Sequence, residues 1–296
     1  MNILVITGDR NFKAGNQRFD LQAGAVESME ALYWGPRALW GSPQGESFDV
    51  VSTQDPFFRG LVGLFWAWRF RARLNVQVHA DLDAQSVLKR ILARFVLSRA
   101  DSVRVVSEKL KAQVEKLGVR ASVAVLPIYI DLERFKVAKR APSDVPTILW
   151  VGRFEEEKDP FLAIRVFNEV QKEVPNAALV MLGAGSLEVR LRKEAAGLRV
   201  EFPGWHDPVP YLARAHVVLS TSRAESYGAS IVEALAAGVP VVAPDVGIAR
   251  EAGAIIAKPA RFVATLIEML RTPTNGELKL PLLTRDEWVT AWKKTL

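Results

Sequence analysis

Short apolar runs alternate along this chain with longer segments whose apolar residues recur every three or four positions. The runs are typical of buried strands, and the periodic segments are typical of helices. Strands of continuous Val, Ile and Leu that are joined by helices indicate parallel sheets covered on both faces. The predicted strands are 2–7, 48–53, 74–79, 102–106 and 122–126, then 147–151, 177–182, 200–202, 217–220 and 239–243. The predicted helices are 86–99, 107–117, 160–173, 187–196 and 230–237.

A polar, proline-containing stretch at 135–146 separates the two sets of strands and is the best domain boundary. We therefore predict an N-terminal domain at 1–140 and a C-terminal domain at 141–283. The final segment, 284–296, is predicted to be a helix with its N-cap at Thr284 or Asp286, and it is a candidate to pack on the N-terminal domain. The stretch 8–47 lacks a clear glycine-rich loop or further strands, so the N-terminal domain is predicted to be trimmed.

Composition excludes several kinds of chemistry. The 296 residues contain no cysteine and three histidines, which rules out thiolate sites and argues against a multi-histidine metal site. The chain opens with a strand pattern and has no apolar run near the roughly 18 residues of a membrane span. We therefore expect a cytoplasmic protein.

The positive charge is confined to the first half. Residues 1–140 hold 21 Lys and Arg against 14 Asp and Glu, whereas residues 141–296 hold 18 against 19. An anionic partner on the N-terminal half and an ordinary solvated basic surface both explain this imbalance.

The segment 225–242 carries the strongest candidate chemistry. It leaves a predicted strand and enters a helix near Ala229, where free backbone N–H groups can bind an anion and Gly228 allows close approach. Glu225 before the helix and Glu233 about one turn inside it can accept hydrogen bonds from sugar hydroxyls. A helix with an acidic first turn, stabilised by its dipole, explains the same pattern.

Charged residues also follow the first strand of the second domain. Arg153 and Lys158 lie at its carboxyl end and can neutralise charge that develops on a diphosphate leaving group. An exposed charged turn is the structural alternative. Gly183 and Gly185 form a strand–turn–helix junction that is a weak dinucleotide signal, because Glu188 stands where the third glycine belongs.

Three aromatic or imidazole side chains complete the candidates. Trp205 and His206 end a strand where they could stack on a base, although a packed tryptophan explains the pattern as well. His79 ends a strand of the first domain, and a lone histidine is more often structural.

Together these motifs resemble those of the family-4 retaining glycosyltransferases of GT-B fold. The likeness rests on Glu225 and Glu233 with the following Ala-Leu-Ala-Ala-Gly-Val-Pro-Val-Val, and on Gly152-Arg153 with Lys158 five residues later. It implies an α/β chain of two Rossmann-like, doubly wound parallel-sheet domains that face each other across a cleft. The acceptor lies on the N-terminal side, and the C-terminal domain binds the donor.

The resemblance also implies roles for single residues. Glu225 contacts the transferred sugar, and Glu233 holds the nucleotide ribose. Arg153 and Lys158 bind the donor diphosphate, and His79 lies beside the donor sugar. The remaining donor-binding candidates surround the phosphates and the base: Gly152, Gly183, Gly185, Trp205, His206, Ser226, Tyr227, Gly228 and Ala229.

The function implied is transfer of a hexose-type sugar from a nucleoside-diphosphate sugar to a hydroxyl of a glycan or a lipid-linked acceptor. No cofactor and no metal are expected, and nucleic acid is not an expected partner. The alternatives are a sugar-nucleotide epimerase of the same fold and a non-catalytic sugar-nucleotide-binding protein; a dehydrogenase would rest on Gly183 and Gly185 alone. The segment 57–73, apolar almost all round and ending in Arg69, Arg71 and Arg73, is predicted to be a buried helix, with contact to an anionic membrane as its alternative.

Overall fold

The computed structural model describes residues 1–34, 42–136, 141, 143–281 and 283–296. Tertiary contacts divide the chain into two compact units: unit 1 comprises Met1–Tyr129 with Leu282–Leu296, and unit 2 comprises Ile130–Pro281. The boundary predicted after residue 140 falls on residues outside those described. Ile130 and the residues after it belong to unit 2 because the short helix that follows packs against a helix of that unit.

Unit 1 is built on a parallel sheet of six strands in the order β2-β1-β3-β4-β5-β6. Its central strands are buried along their whole length, as the continuous apolar runs predict. The strands are β1 Asn2–Thr7, β2 Ser28–Tyr33, β3 Val50–Thr53, β4 Arg73–Val78, β5 Ser102–Val105 and β6 Ser122–Val125. The helices between them are α1 Gln17–Ala23, α2 Phe58–Phe70, α3 Val87–Leu97 and α4 Glu108–Glu115.

Unit 2 contains a second six-stranded parallel sheet, in the order β12-β11-β10-β7-β8-β9. Its strands are β7 Thr147–Val151, β8 Ala178–Leu182, β9 Val200–Gly204, β10 Val217–Leu219, β11 Val241–Ala243 and β12 Ile255–Ile256. Its helices are α5 Glu133–Lys136, α6 Pro160–Glu173, α7 Glu188–Glu194, α8 Val209–Arg214, α9 Ala229–Ala236, α10 Ala249–Ala252 and α11 Phe262–Arg271. If β7 is counted as the first strand, this is the strand order of a dinucleotide-binding fold. Successive strands are added toward one edge of the sheet from β7 and toward the other edge from β10.

The terminal helix, α12 Arg285–Lys294, groups with unit 1. Thr284 is its N-cap, and it forms a reciprocal capping box with Glu287. Trp288 and Trp292 are buried in the core of unit 1 beside Leu126, and the indole N–H of Trp288 donates to the carbonyl of Pro127 at 2.8 Å. The helix therefore fills part of the core of unit 1.

The sequence prediction for residues 8–47 was wrong in one respect: the segment contains a strand, β2, as well as α1. β2 is the edge strand of its sheet and is partly exposed along its length, so it lacks the continuous apolar run of a buried strand. The edge strand β12 was also missed, because it is only two residues long. In the part of the chain that the structure describes, no helix has the length and apolar character to cross a membrane.

Candidate functional site

The predicted phosphate-binding segments meet at the carboxyl end of the sheet in unit 2. β7 and β10 are neighbours in that sheet although about 70 residues separate them. The loop after β7 carries Arg153 and Lys158, and the loop after β10 carries Glu225. In open α/β sheets, ligands bind beyond the carboxyl ends of the strands at the point where the strand order reverses, and these loops lie at that point.

An ion pair joins the two loops. Lys158 Nζ lies 2.5 Å from Glu225 Oε1, and the side chains are only 19% and 13% exposed. The Ser222 hydroxyl donates to the same carboxylate oxygen at 2.8 Å. Limited exposure strengthens such a pair relative to one on the surface, where the median contribution is about 0–1 kcal/mol. The lysine and the carboxylate are thus held together before any ligand binds.

Thr221 connects the backbones of these loops. Its hydroxyl donates to the carbonyls of Lys158 and Asp159, both at 2.9 Å, and accepts the indole N–H of Trp150 at 2.9 Å. Thr221 is 2% exposed, so these bonds are shielded from water. The position of Lys158 is therefore fixed by β10 as well as by β7.

The start of α9 presents unpaired backbone donors. Gly228 is its N-cap with φ +99°, a left-handed conformation that favours glycine, and among the residues that the structure describes no side chain caps the helix. The first N–H groups of a helix have no partner within it, so the amides around Ala229 are available to an anion. The backbone before the helix is anchored, because the carbonyl of Tyr227 accepts the N–H of Ile248 at 3.0 Å.

Glu233 lies on α9 and is partly buried. Burial raises its pKa to about 7; Arg134 opposes this rise, and Asp207 adds to it. Arg134 belongs to α5, which packs against α9, and it forms an ion pair with Asp207. A carboxyl group is therefore held in a weakly polar setting one turn inside the helix.

The structure gives Gly183 and Gly185 a packing role. A Cβ atom on Gly183 would lie 1.8 Å from the carbonyl oxygen of Gly152, and one on Gly185 would lie 2.5 Å from that of Phe154. The loops after β7 and β8 approach so closely that only glycine fits. Gly152 also donates its N–H to the carbonyl of Leu182 at 3.1 Å. These contacts explain both glycines without a dinucleotide fingerprint.

Other residues predicted to bind the sugar donor lie outside the ion pair, and most of them are exposed. Arg153 is exposed and contacts Glu157 at 2.6 Å. Trp205 is 66% exposed and His206 is also exposed, so the interpretation of Trp205 as an ordinary packed tryptophan is wrong. Ser226, before α9, is partly buried.

His79 belongs to unit 1, directly after β4. Its Nε2 lies 3.2 Å from Gln77 Oε1. Burial, together with the positive charges of Arg104 and Arg18, lowers the pKa of His79 to about 3. The imidazole is therefore neutral over the physiological range.

Thr221 and Ser222 were not predicted from the sequence. Two hydroxyl residues directly after a strand are a signal for loop hydrogen bonding. Their partners Lys158 and Glu225, however, are known only once β7 and β10 are neighbours.

Comparison with known proteins identifies two family models. Residues 145–272 match the model described as glycosyl transferases group 1, and residues 12–128 match the glycosyl transferase 4-like domain. The two matches cover parts of both units and include every candidate residue named above.

Individual relatives and solved structures agree with these models. The chain is 32% identical over 139 residues to the lipopolysaccharide core biosynthesis glycosyltransferase LpsE of Rhizobium meliloti, which covers 44% of this chain and 40% of LpsE. It is 29% identical over 236 residues to a GDP-mannose-dependent α-(1-6)-phosphatidylinositol dimannoside mannosyltransferase of Mycobacterium tuberculosis, covering 75% of this chain and 57% of that protein. It therefore spans about half the length of these relatives. The structure of Anabaena Alr3699/HepE in complex with UDP and glucose superposes with a TM-score of 0.72 at 16% identity, covering 92% of this chain and 90% of HepE. That likeness shows the fold and confirms the predicted two-domain GT-B class.

Proposed function

This chain belongs to the family-4, group 1 glycosyltransferases, and we propose that it transfers a sugar from a nucleoside-diphosphate sugar to an acceptor hydroxyl with retention of anomeric configuration. The observation that supports this most is the Lys158–Glu225 pair at the point where the strand order of unit 2 reverses. It sets a cation and a sugar-binding carboxylate side by side in a site suited to nucleotides.

The leaving group is a nucleoside diphosphate, on which negative charge grows as the glycosidic bond breaks. Lys158 lies in the same site as the free amides at the start of α9, and both stabilise that charge without moving far. Arg153 is exposed and, within the described part of the chain, forms an ion pair with Glu157; it turns to the diphosphate as a second cation. These groups provide the electrostatic stabilisation that a metal ion supplies elsewhere, so we propose a metal-independent reaction in which chelation by EDTA leaves the rate unchanged.

The two glutamates have different partners in this mechanism. Glu225 accepts hydrogen bonds from the transferred sugar, because it adjoins the lysine that faces the diphosphate. Glu233, one turn further along α9, accepts from the ribose hydroxyls. The acceptor hydroxyl attacks on the face from which the diphosphate leaves, which retains the configuration.

Substitution separates these roles. Glu225→Gln should slow transfer while the affinity for the bare nucleoside diphosphate changes little, whereas Glu233→Ala should weaken that affinity. A thermal-shift screen with UDP, GDP and ADP sugars identifies the base, since a ligand at 100 times its Kd adds about 2.7 kcal/mol of stability.

The reverse pattern, with nucleotide affinity governed by Glu225, would overturn the assignment. Binding of a sugar nucleotide without transfer to any acceptor would indicate a non-catalytic binding protein. Formation of an epimerised donor in the absence of acceptor would indicate an epimerase.

We further propose that unit 1 contacts an anionic membrane through α2 and α3, where a lipid-linked acceptor would be found. α2 packs on the sheet of unit 1 with Gly60, Gly63 and Ala67 turned inward, which confirms the predicted packing. Its other face is exposed and carries Phe58, Phe65 and Trp68, of which Trp68 is 77% exposed. α3 exposes an apolar row one turn apart, made up of Val87, Leu88, Ile91 and Phe95.

The charge around this surface suits an anionic bilayer. Residues 56–80 and 84–100 contain no Asp or Glu, and six arginines there are exposed: Arg69, Arg71, Arg73, Arg90, Arg94 and Arg99. Each basic residue near an anionic surface contributes about 1 kcal/mol, and salt weakens that contribution.

Vesicle co-sedimentation tests the contact. The protein should bind anionic vesicles at low salt, and Ile91→Ser with Phe95→Ser should abolish binding. Val189→Ser removes an apolar residue of unit 2 that is even more exposed, at 82%, and serves as the control. Equal, negligible binding to anionic and neutral vesicles would refute this proposal and leave the transferase proposal intact.

A further inference from the structure

One face of the sheet in unit 1 carries a row of polar side chains, most of which are buried and of which His79 is partly buried. Asn75, Gln77 and His79 alternate along and just beyond β4 and therefore point to the same face. Ser52 on β3 pairs with Asn75, and Arg104 on β5 pairs with Gln77. Burying such groups is costly unless each is hydrogen-bonded, and these side chains bond to one another.

The hydrogen bonds in this row run in one direction. The carbonyl of Thr295 can only accept, so Asn75 presents its Nδ2 to it, at 2.7 Å. The oxygen of Asn75 then accepts the hydroxyl of Ser52 at 2.9 Å. The Ser52 oxygen in turn accepts from Gln77 Nε2 at 3.0 Å. Because this series of hydrogen bonds starts at the carbonyl of Thr295, the amide oxygen of Gln77 must point toward Arg104 and His79.

The opposite end of the row gives the same orientation independently. Arg104 is 2% exposed, and a guanidinium can only donate. Its Nη1 donates to Gln77 Oε1 at 3.1 Å, while its Nε and Nη2 donate to the carbonyls of Leu126 and Pro127 at 3.1 and 2.9 Å. Since two unrelated groups demand the same amide orientation, Gln77 Oε1 is an acceptor for every neighbour, including His79 Nε2 at 3.2 Å.

We propose that Arg104 and Gln77 are positioning residues that fix His79 as a neutral imidazole with its proton on Nε2, leaving Nδ1 to accept a hydrogen bond from a ligand hydroxyl. Only the last clause rests on the proposed function. Among the residues that the structure describes, none bonds His79 Nδ1. Nε2 therefore orients the imidazole through Gln77, and Nδ1 is presented to a ligand.

The charges around His79 favour the neutral form. Arg104 on β5 and Arg18 on α1 both lower its pKa, in addition to burial. Arg18 is paired with Asp9 at 2.9 Å, but in the described part of the chain no carboxylate forms an ion pair with Arg104. Burial lowers the pKa of Arg104 to about 9, which leaves it charged at neutral pH. A cation that lacks a counter-ion therefore opposes a second positive charge on His79.

Nitrogen NMR of the free, full-length protein tests the positioning directly. We expect His79 at neutral pH to show a protonated Nε2 and a bare Nδ1. Gln77→Leu should give a mixture of both neutral forms because Nε2 loses its acceptor. Gln77→Glu should keep the proton on Nε2 but raise the pKa of His79 by roughly 1–3 pH units, as a nearby opposite charge does. A bare Nε2, or a cationic ring in the wild type at neutral pH, would overturn the proposal.

Ser52→Ala is the matched control, since it removes the acceptor of Gln77 Nε2 and leaves the contacts of Gln77 Oε1 with Arg104 and His79 in place. This variant should lower the Tm without changing the nitrogen signals of His79. A changed tautomer of His79 would mean that Arg104 does not determine the tautomer. In steady-state transfer, Gln77→Leu should lower kcat/KM roughly 5–10-fold, which is the effect expected from the loss of one hydrogen bond. If His79→Phe transfers sugar at the wild-type rate while the NMR result holds, the ligand contact of Nδ1 is wrong and the positioning stands.

Discussion

Replacing Glu233 by glutamine should stabilise unit 2 at neutral and alkaline pH but not in acid. The pKa of Glu233 is raised from 4.5 to about 7 by burial. Between those values the folded protein holds a proton that the unfolded chain has lost, so stability falls as pH rises through this window. A difference of that size corresponds to about 3 kcal/mol at pH values above the folded pKa. Glutamine has the same shape and does not ionise, so the variant avoids this loss.

The assay is denaturant unfolding of wild type and Glu233→Gln from about pH 5 to about pH 8. The variant's advantage should be small at the acid end and grow toward about 3 kcal/mol. Glu194→Gln, at an exposed position of α7 in the same unit, is the control and should show a difference that does not vary with pH. If the difference in unfolding free energy between Glu233→Gln and wild type stays constant across this pH range, burial does not disfavour the ionised form of Glu233 and the reasoning is refuted.

Further substitutions test the diphosphate site and the fold. Lys158→Ala or Arg153→Ala should lower turnover roughly 10²–10³-fold with the fold intact, as loss of an electrostatic stabiliser does, whereas Lys172→Ala on the exposed face of α6 should not; normal rates would remove both residues from the mechanism. Thr284→Ala should cost about 1 kcal/mol of stability by removing the capping box of α12, measurable as a lower denaturation midpoint. Gly183→Ala should lower the Tm, because its methyl group would meet the carbonyl of Gly152; an unchanged Tm would contradict the close packing of these loops.

Much of the scaffold could be predicted from the sequence, because buried strands of a parallel sheet are apolar on both faces and stand out as continuous runs. β1 and β7 were predicted with their observed bounds, as was α6. The strands that were missed, β2 and β12, are edge strands, and an edge strand is only partly buried. Local pattern could not distinguish them from loops.

The chain by itself also determined which motifs follow strands, and thus which loops carry candidate chemistry. What it left undecided is which strands are neighbours, since strand order depends on how helices pack across the sheet and not on any local signal. Only the tertiary structure pairs β7 with β10 and so brings Lys158 to Glu225 across 67 positions of sequence. It alone also decided that Gln77, an unremarked polar residue in a strand, lies between Arg104 and His79. Contacts between distant segments depend on three-dimensional packing, which periodicity along one segment does not encode.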